Sequence, residues 1–261
     1  WLVMCIACGE NSGASDSPDR LRSTPPDPST ETAGRTPKTA ALDYHPRTPE
    51  DRQEPGTIEV PPSSTQAPQN RWVIVAVGDL LFHGRLQRQA YGHADGFRSV
   101  FADYKDVLSE ADITYGNLEG TIATGLTRTG PTPRDPGLKF DGRVYTGYPT
   151  FNYHARLGTD LAHLGFDVLS TANNHSLDRK HAGLLATLKA LHSEGLRTTG
   201  TRSGSDEPWH ALVELPGLRV AFLACTERSN IASKKPESLL RCGKGAKVAH
   251  LIQGLSDDPK I

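Results

Sequence analysis

The chain runs to 261 residues, with 29 lysines and arginines against 30 aspartates and glutamates for a formal net charge of −1, and it is 36% hydrophobic. That length suffices for one large domain or two small ones with a sizeable core, and the balanced charge offers no broad field to draw in nucleic acid or anionic lipid. No apolar run approaches the ~20 residues that cross a bilayer, which excludes a multi-pass membrane protein, and 4 cysteines are too few for a disulfide scaffold.

The opening Trp1-Leu2-Val3-Met4-Cys5-Ile6-Ala7-Cys8 is apolar and stops abruptly at Gly9-Glu10-Asn11, the form of the tail of a signal peptide. Small Ala7 directly before Cys8 resembles a bacterial lipoprotein processing site, in which the cysteine becomes the lipid-bearing first residue, although Cys5 stands where Leu is usual. Cleavage without lipidation is one competing reading. A buried apolar strand is another, disfavoured because the polar run that follows gives it nothing to pair with. Residues 1–8 are therefore expected to be a leader remnant, and the protein to be exported and lipid-anchored in a bacterial envelope.

Residues 9–70 hold 11 of the 19 prolines and a single aromatic residue, Tyr44. Such a segment buries too little apolar surface to offset the entropy of ordering it, so it reads as a linker, extended and semi-stiff, between anchor and folded part. The folded domain then spans 71–261. Its end, Ser256-Asp257-Asp258-Pro259-Lys260-Ile261, carries no cap or tail signal, so the fold is expected to be incomplete at its C-terminus.

From Arg71 onward strand-like and helix-like segments alternate. Trp72 to Val77 is a short β-branched run closed by Gly78-Asp79, which predicts a buried strand ending in a polar loop. Phe97, Val100, Phe101, Tyr104, Val107, Leu108 and Ala111 recur at helical spacing, and Ile113-Thr114-Tyr115 predicts a second strand ending at Gly116-Asn117-Leu118-Glu119. Residues 120–150 lack periodicity and form a long loop, a length that in compact domains marks function or mobility. Leu157, Leu161 and Leu164 mark a helix, and Phe166 to Thr171 a strand that ends in Ala172-Asn173-Asn174-His175. Leu184 to Leu191 give another helix, closed by Gly195, and Ala211–Leu215 with Leu218–Cys225 predict a hairpin turning at Pro216-Gly217. The order implies an α/β fold with a mixed sheet. Cys225 and Cys242 read as structural rather than catalytic, and a disulfide between them is compatible with export.

Three strand ends thus carry Gly78-Asp79, Gly116-Asn117-Leu118-Glu119 and Asn173-Asn174-His175, and ligand sites of open α/β sheets collect at the carboxyl ends of strands. Carboxylates, amide oxygens and an imidazole are ligands for Mn, Zn, Fe or Mg. Taken singly, each residue has a plainer use. Asp79 and Asn117 make Asx turns or caps, Glu119 is an exposed loop carboxylate, Asn173-Asn174 supplies a turn, His175 is a structural imidazole and Asp178 caps the helix that follows. The joint placement at three equivalent junctions favours a site. His83 lies near the first junction, and Arg85, Lys139 and Arg143 are cations that could meet an anionic substrate, with solvated surface charge as their default.

Val77-Gly78-Asp79-Leu80-Leu81-Phe82-His83, Gly116-Asn117-Leu118-Glu119-Gly120 and the run from Gly165 through Ala172-Asn173-Asn174-His175-Ser176-Leu177-Asp178 together resemble the CapA-type capsule biosynthesis proteins. Gly217 to Thr226 is similar as well, so the resemblance covers about residues 71 to 230. It implies a fold like the calcineurin-like metallophosphoesterases, a two-sheet sandwich flanked by helices, and a divalent-metal centre, dinuclear in that superfamily. Asp79, Asn117, Glu119 and Asn174 would be the metal ligands, His175 with Asp178 the catalytic groups, and His83 a substrate contact. Leu81 stands where the superfamily's first motif has a histidine, and Gly116-Asn117 where its second has Gly-Asp.

The function so implied is synthesis, export or trimming of an anionic capsule polymer, poly-γ-glutamate, alongside membrane proteins of capsule synthesis and without nucleic acid. Whether this involves a metal-dependent hydrolase is left open by the residues. The alternatives are a cell-envelope metal-dependent phosphodiesterase or phosphatase acting on a phosphoester, and a non-catalytic polymer-binding or assembly subunit.

Overall fold

The computed structural model describes residues 2–8, 71–132, 134–232, 235–243 and 245–258; the expected linker of residues 9–70 lies outside the described residues. In chain order the elements are β1 (Leu2–Cys8), β2 (Ile74–Leu80), α1 (Gly84–Gly92), α2 (Lys105–Ser109), β3 (Ile113–Leu118), β4 (Thr121–Ile122) and β5 (Asn152–Tyr153). They continue with α3 (Arg156–His163), β6 (Val168–Ser170), α4 (Lys180–Ser193), β7 (Arg197–Thr199), β8 (His210–Leu215), β9 (Leu218–Thr226) and α5 (Gly245–Asp257).

The main sheet has the order β2-β3-β6-β7 and is parallel throughout. A second sheet, β1-β9-β8, lies against it. Ile113, Tyr115 and Val168 of the first meet Ala211, Val213, Val220 and Phe222 of the second in one apolar cluster, where the rings of Tyr115 and Phe222 stack 5.6 Å apart. The opposite face of the main sheet is covered by α1, α3 and the turns after α1, through Phe82, Phe97, Leu157, Leu161 and Leu164 among others. This is the expected α/β sandwich flanked by helices. It follows from the pattern of β3, whose Ile-Thr-Tyr-Gly-Asn-Leu is buried at every position, as a central parallel strand covered on both faces requires.

Several elements depart from expectation. The run Phe97 to Ala111 is no continuous helix but two 3₁₀ turns and the short α2. Tyr104 and Val107, which the helical spacing counts as core, are 63% and 59% exposed, while Phe97 is pinned by its N–H to the buried Asp160 carboxylate of α3 at 2.7 Å. The strand expected to stop at Val77 continues to Leu80, because a bulge between Ala76 and Asp79 restores pairing and sets Asp79 beside Asn117. Helices α1 and α5 and the short strand β7 are further elements that the reading of the chain does not anticipate. The disfavoured strand at the N-terminus is present: Leu2–Cys8 runs parallel to β9, Leu2 opposite Val220 and Cys8 opposite Thr226. Its partner comes from far along the chain rather than from the adjacent polar run. Among the described residues no helix is long and apolar enough to cross a membrane.

Cys225 at the end of β9 forms a disulfide with Cys242, 17 positions on. The returning segment also pairs by backbone, Thr226 N–H to Leu240 O and Cys242 N–H to Thr226 O, each at 3.0 Å. Trp209, Leu223, Cys225 and Leu240 make the cluster on which α5 rests through Val248, Leu251 and Ile252. Closing a loop of this length removes about 3 kcal/mol of chain entropy from the unfolded state. A Cys225→Ser/Cys242→Ser protein should therefore lose about 3 kcal/mol in urea unfolding relative to the oxidised wild type, and dithiothreitol should reproduce the loss in the wild type and leave the variant unchanged.

Between β3 and β6, the Asp167 carboxylate accepts the Thr114 N–H at 2.7 Å. Desolvation raises its pKa above the ordinary aspartate value, against the opposing effects of the Thr114 hydrogen bond and the Arg197 charge. A carboxyl raised on folding contributes stability that is complete below its unfolded pKa and is lost as pH rises through the folded one. Asp167→Asn keeps an acceptor for Thr114 and removes the titration. Unfolding free energy of that variant, followed from pH 3 upward, should lack the decline that the wild type shows from this group, and an unchanged difference between the two proteins at all pH values would refute the assignment.

Candidate functional site

The carboxyl ends of β2, β3 and β6 converge. Asp79 and Asn117 are register partners on β2 and β3, and the Asn117 amide donates to Asp79 Oδ1 at 2.7 Å. Asn173, fully buried in the loop between β6 and α4, donates through Nδ2 to Leu118 O at 2.8 Å and Asn117 Oδ1 at 3.2 Å. Its own Oδ1 accepts the His175 N–H at 3.1 Å. Asn173 is thus the residue that ties the third strand end to the second. The sequence motif contains it, but its neighbour Asn174 looked the better ligand.

Beyond Asn173, His175 Nδ1 lies 2.7 Å from Asp178 Oδ2. A carboxylate at Nδ1 holds the proton there and leaves Nε2 as the chemically available nitrogen. Nε2 faces Glu119 Oε1 at 3.8 Å, too long for a hydrogen bond and wide enough for a bridging water or substrate atom. The same Asp178 Oδ2 accepts the Phe151 N–H at 2.5 Å, and the Phe151 ring stands edge-on to His175 with centroids 4.8 Å apart. Glu119 is placed by the turn after β3: its carbonyl accepts the Tyr153 hydroxyl at 2.7 Å. Gly120, at φ +127°, follows it because a Cβ there would lie 2.6 Å from the Tyr153 ring.

Arg179 fastens the long loop to this floor. Its guanidinium donates to Leu126 O, Asp178 O, Val144 O and Thr146 Oγ1 at 2.7–3.1 Å. Burial lowers its pKa to about 10, opposed by the Asp178 charge, so it remains a cation at neutral pH. Asn152, also fully buried, accepts from Thr121 Oγ1 and Ala123 N–H and donates to Ala123 O and Val144 O. The region read as an unstructured loop is therefore pinned at both ends. A third contributor comes from the disulfide-closed segment: the Asn230 N–H donates to Asn174 O at 2.9 Å, and its amide sits 3.5 Å from both ring nitrogens of His175. Neither Phe151 nor Asn230 carries any sequence signal that would find it.

Of the expected site residues, Asp79, Asn117, Glu119, His175 and Asp178 come together. Asp178 does not cap α4, whose first turn is preceded by Arg179. Asn174 adjoins them, half-buried, its side chain making no hydrogen bond among the described residues. His83 is exposed and reaches the site through Phe151, whose ring it meets edge-on at 5.1 Å. Cys8 lies at the end of β1. The donors are hard oxygens and one imidazole, suited in kind to Mn, Zn, Fe or Mg. Asp79 and Asn117 are turned toward one another, and among the described residues no three His, Cys, Asp or Glu side chains converge as metal ligands.

Residues 73–251 match the model of the bacterial capsule synthesis protein family PGA_cap. The chain belongs to that family. The chain is similar to two uncharacterized proteins of Sinorhizobium fredii (strain NBRC 101917 / NGR234), y4sH and y4uA, each 29% identical over 171 residues. The match covers 65% of this chain and 33% of either relative, so the chain spans about a third of their length. The family match contains every site residue described above except Cys8, and its capsule-synthesis description agrees with the motif resemblance.

Asp178 is 1% exposed and satisfies two donors, so removing it strands both. Asp178→Ala should lower unfolding free energy by about 2–4 kcal/mol, since each buried donor left unpaired costs about 1–3 kcal/mol. Asp178→Asn, which keeps one acceptor, should lose about half as much in the same urea titration.

Proposed function

We propose that this family member is an exported, lipid-anchored envelope protein that acts on an anionic capsule polymer, poly-γ-glutamate, with His175 as its proton-transfer group. The observation that carries the reading is the Asp178–His175 pair aimed at Glu119, at the strand ends where α/β folds bind ligands. Asp178 orients the imidazole; Nε2 takes a proton from a water that attacks the carbonyl carbon of an amide linkage and returns it to the amine that leaves as the C–N bond breaks, while Glu119 accepts a hydrogen bond from the same water. Asn230, beside the ring, supplies an amide to the same space.

Export is supported by the Cys225–Cys242 disulfide, because disulfides persist in oxidising compartments. Lipidation at Cys8 and pairing of β1 with β9 are alternatives for the same residues: processing before Cys8 would remove Leu2–Ala7 and open that edge of β9. A second reading, a polymer-binding subunit without turnover, is supported by Leu81, which stands where the first motif of the resembled superfamily has a histidine.

The test is capsule formation in a strain lacking the gene, complemented with wild type or His175→Gln at equal protein level. Under the catalytic reading the variant yields polymer at least ~10²-fold more slowly or of altered length, the usual scale for loss of an acid–base group. Full complementation by His175→Gln would overturn that reading and leave the binding subunit.

A further inference from the structure

The long loop between β4 and β5 carries four basic residues, Arg128, Arg134, Lys139 and Arg143, and two acidic ones, Asp135 and Asp141. The two acids are occupied in shaping the loop. Asp135 accepts from the Gly125 and Gly137 N–H groups and the Tyr145 hydroxyl, and Asp141 Oδ1 accepts from the N–H groups of Arg143, Val144 and Tyr145. The basic side chains are exposed, and Lys139 and Arg143 have no ion-pair partner among the described residues. The acids thus serve structure, and the exposed cations outnumber them four to two.

That surface is joined to the start of α1. Phe140 packs so closely on Gly84 that a Cβ there would fall 2.7 Å from its ring, and Arg88, one turn on, lies over the same ring at 4.8 Å. Gln87 donates to both Phe82 O and Thr146 O at 2.8 Å, stitching the helix to the far end of the loop. Arg85 and Arg88 therefore share one rim with Lys139 and Arg143, and neither arginine has an ion-pair partner among the described residues. Gly147 lies against the start of α1, where a Cβ on it would fall 3.0 Å from Gly84 N, and Tyr148, which follows it, is 79% exposed. The rim leads into the site through the ring contacts of His83 with Phe151 and of Phe151 with His175.

We propose that this rim, made of Arg85, Arg88, Lys139, Arg143 and Tyr148, is the binding track for a polycarboxylate chain, holding several of its charges while one linkage reaches His175 and Glu119. The assignment rests on the functional reading above for the identity of the polymer, and on the rim itself for its charge. Spaced cations suit a flexible chain that repeats a single negative charge, since each contact is weak and the sum is not. Tyr148 provides apolar surface for the methylene segments between carboxylates. Asp141 is the acid nearest the basic side chains in sequence, and its hydrogen bonds to three N–H groups hold it in the loop.

Fluorescence anisotropy of dye-labelled poly-γ-glutamate tests this with charge-matched pairs of variants. Arg85→Gln/Lys139→Gln should weaken binding at least tenfold, whereas Lys189→Gln/Arg197→Gln, on α4 and β7, should change it less than twofold. Tyr148→Ala should weaken it severalfold without altering the salt dependence. Equal losses in the two paired variants, or no binding by wild type, would overturn the proposal. So would dextran sulfate competing as well per charge as unlabelled poly-γ-glutamate, because the track is assigned to carboxylates. Circular dichroism spectra matching wild type confirm that the exposed substitutions leave the fold intact. The outcome is separable from that of the capsule assay: a His175→Gln defect with no effect of the rim variants retains the functional reading and removes the track.

Discussion

The carboxylate of Asp178 joins the parts from which the site is made. One of its oxygens accepts from the His175 ring and from the Phe151 backbone, so a single buried charge sets the tautomer of the imidazole and brings the end of a long loop against it. Such a charge is tolerated only with close compensation. The next residue brings a cation close by: Arg179 donates to the Asp178 backbone carbonyl and directs its remaining donors into the same loop. Adjacent residues of opposite charge therefore organise opposite sides of one junction. Lys180, which follows, has a positive φ of 57°, the backbone turn that releases the chain into α4 after both side chains have been committed inward.

Beneath this junction the main sheet does the positioning. β3 is buried along its whole length and paired along both edges, by β2 and β6. Asn117 and Glu119, at its end, inherit that rigidity. Asp79 does not inherit it to the same degree, because β2 is an edge strand with a bulge, and its place is set by the Asn117 amide instead. The hydrogen-bonded row Asp79, Asn117, Asn173 is thus a floor built outward from the most buried strand. Two peripheral segments complete the site from opposite sides: Phe151 is carried by the pinned loop, and Asn230 by the segment that the Cys225–Cys242 disulfide closes.

The allocation of charge in the long loop follows the same logic. A loop of this length needs internal hydrogen bonds to hold one shape, and carboxylates serve because each accepts several N–H groups at once. Arginine and lysine have no comparable role there, apart from the buried Arg179 reaching in from outside. The loop's basic side chains are therefore available at the surface beside the site, which links how the loop folds to what it can bind.

The alternation of β-branched runs with leucine-spaced helices, and the three polar strand ends, were legible in the chain because they depend on local period and on residue type. They were enough to establish the α/β class and the flanking helices, and they marked Asp79, Asn117, Glu119, His175 and Asp178, which the fold brings to one place. The pairing of Leu2–Cys8 with β9 was not legible, since its partner lies more than two hundred residues away. The dissolution of the expected helix at Phe97–Ala111 was hidden as well, because spacing cannot tell which apolar residues the core has room for; Phe97 is buried and Tyr104 is not. Sequence determined which chemical groups this protein has to work with. Tertiary structure decided how they are used, turning Asp178 from a helix cap into the partner of His175, and placing Phe151, Asn230 and Arg179 around them, because hydrogen-bond geometry between distant segments is a property of packing and leaves no local trace.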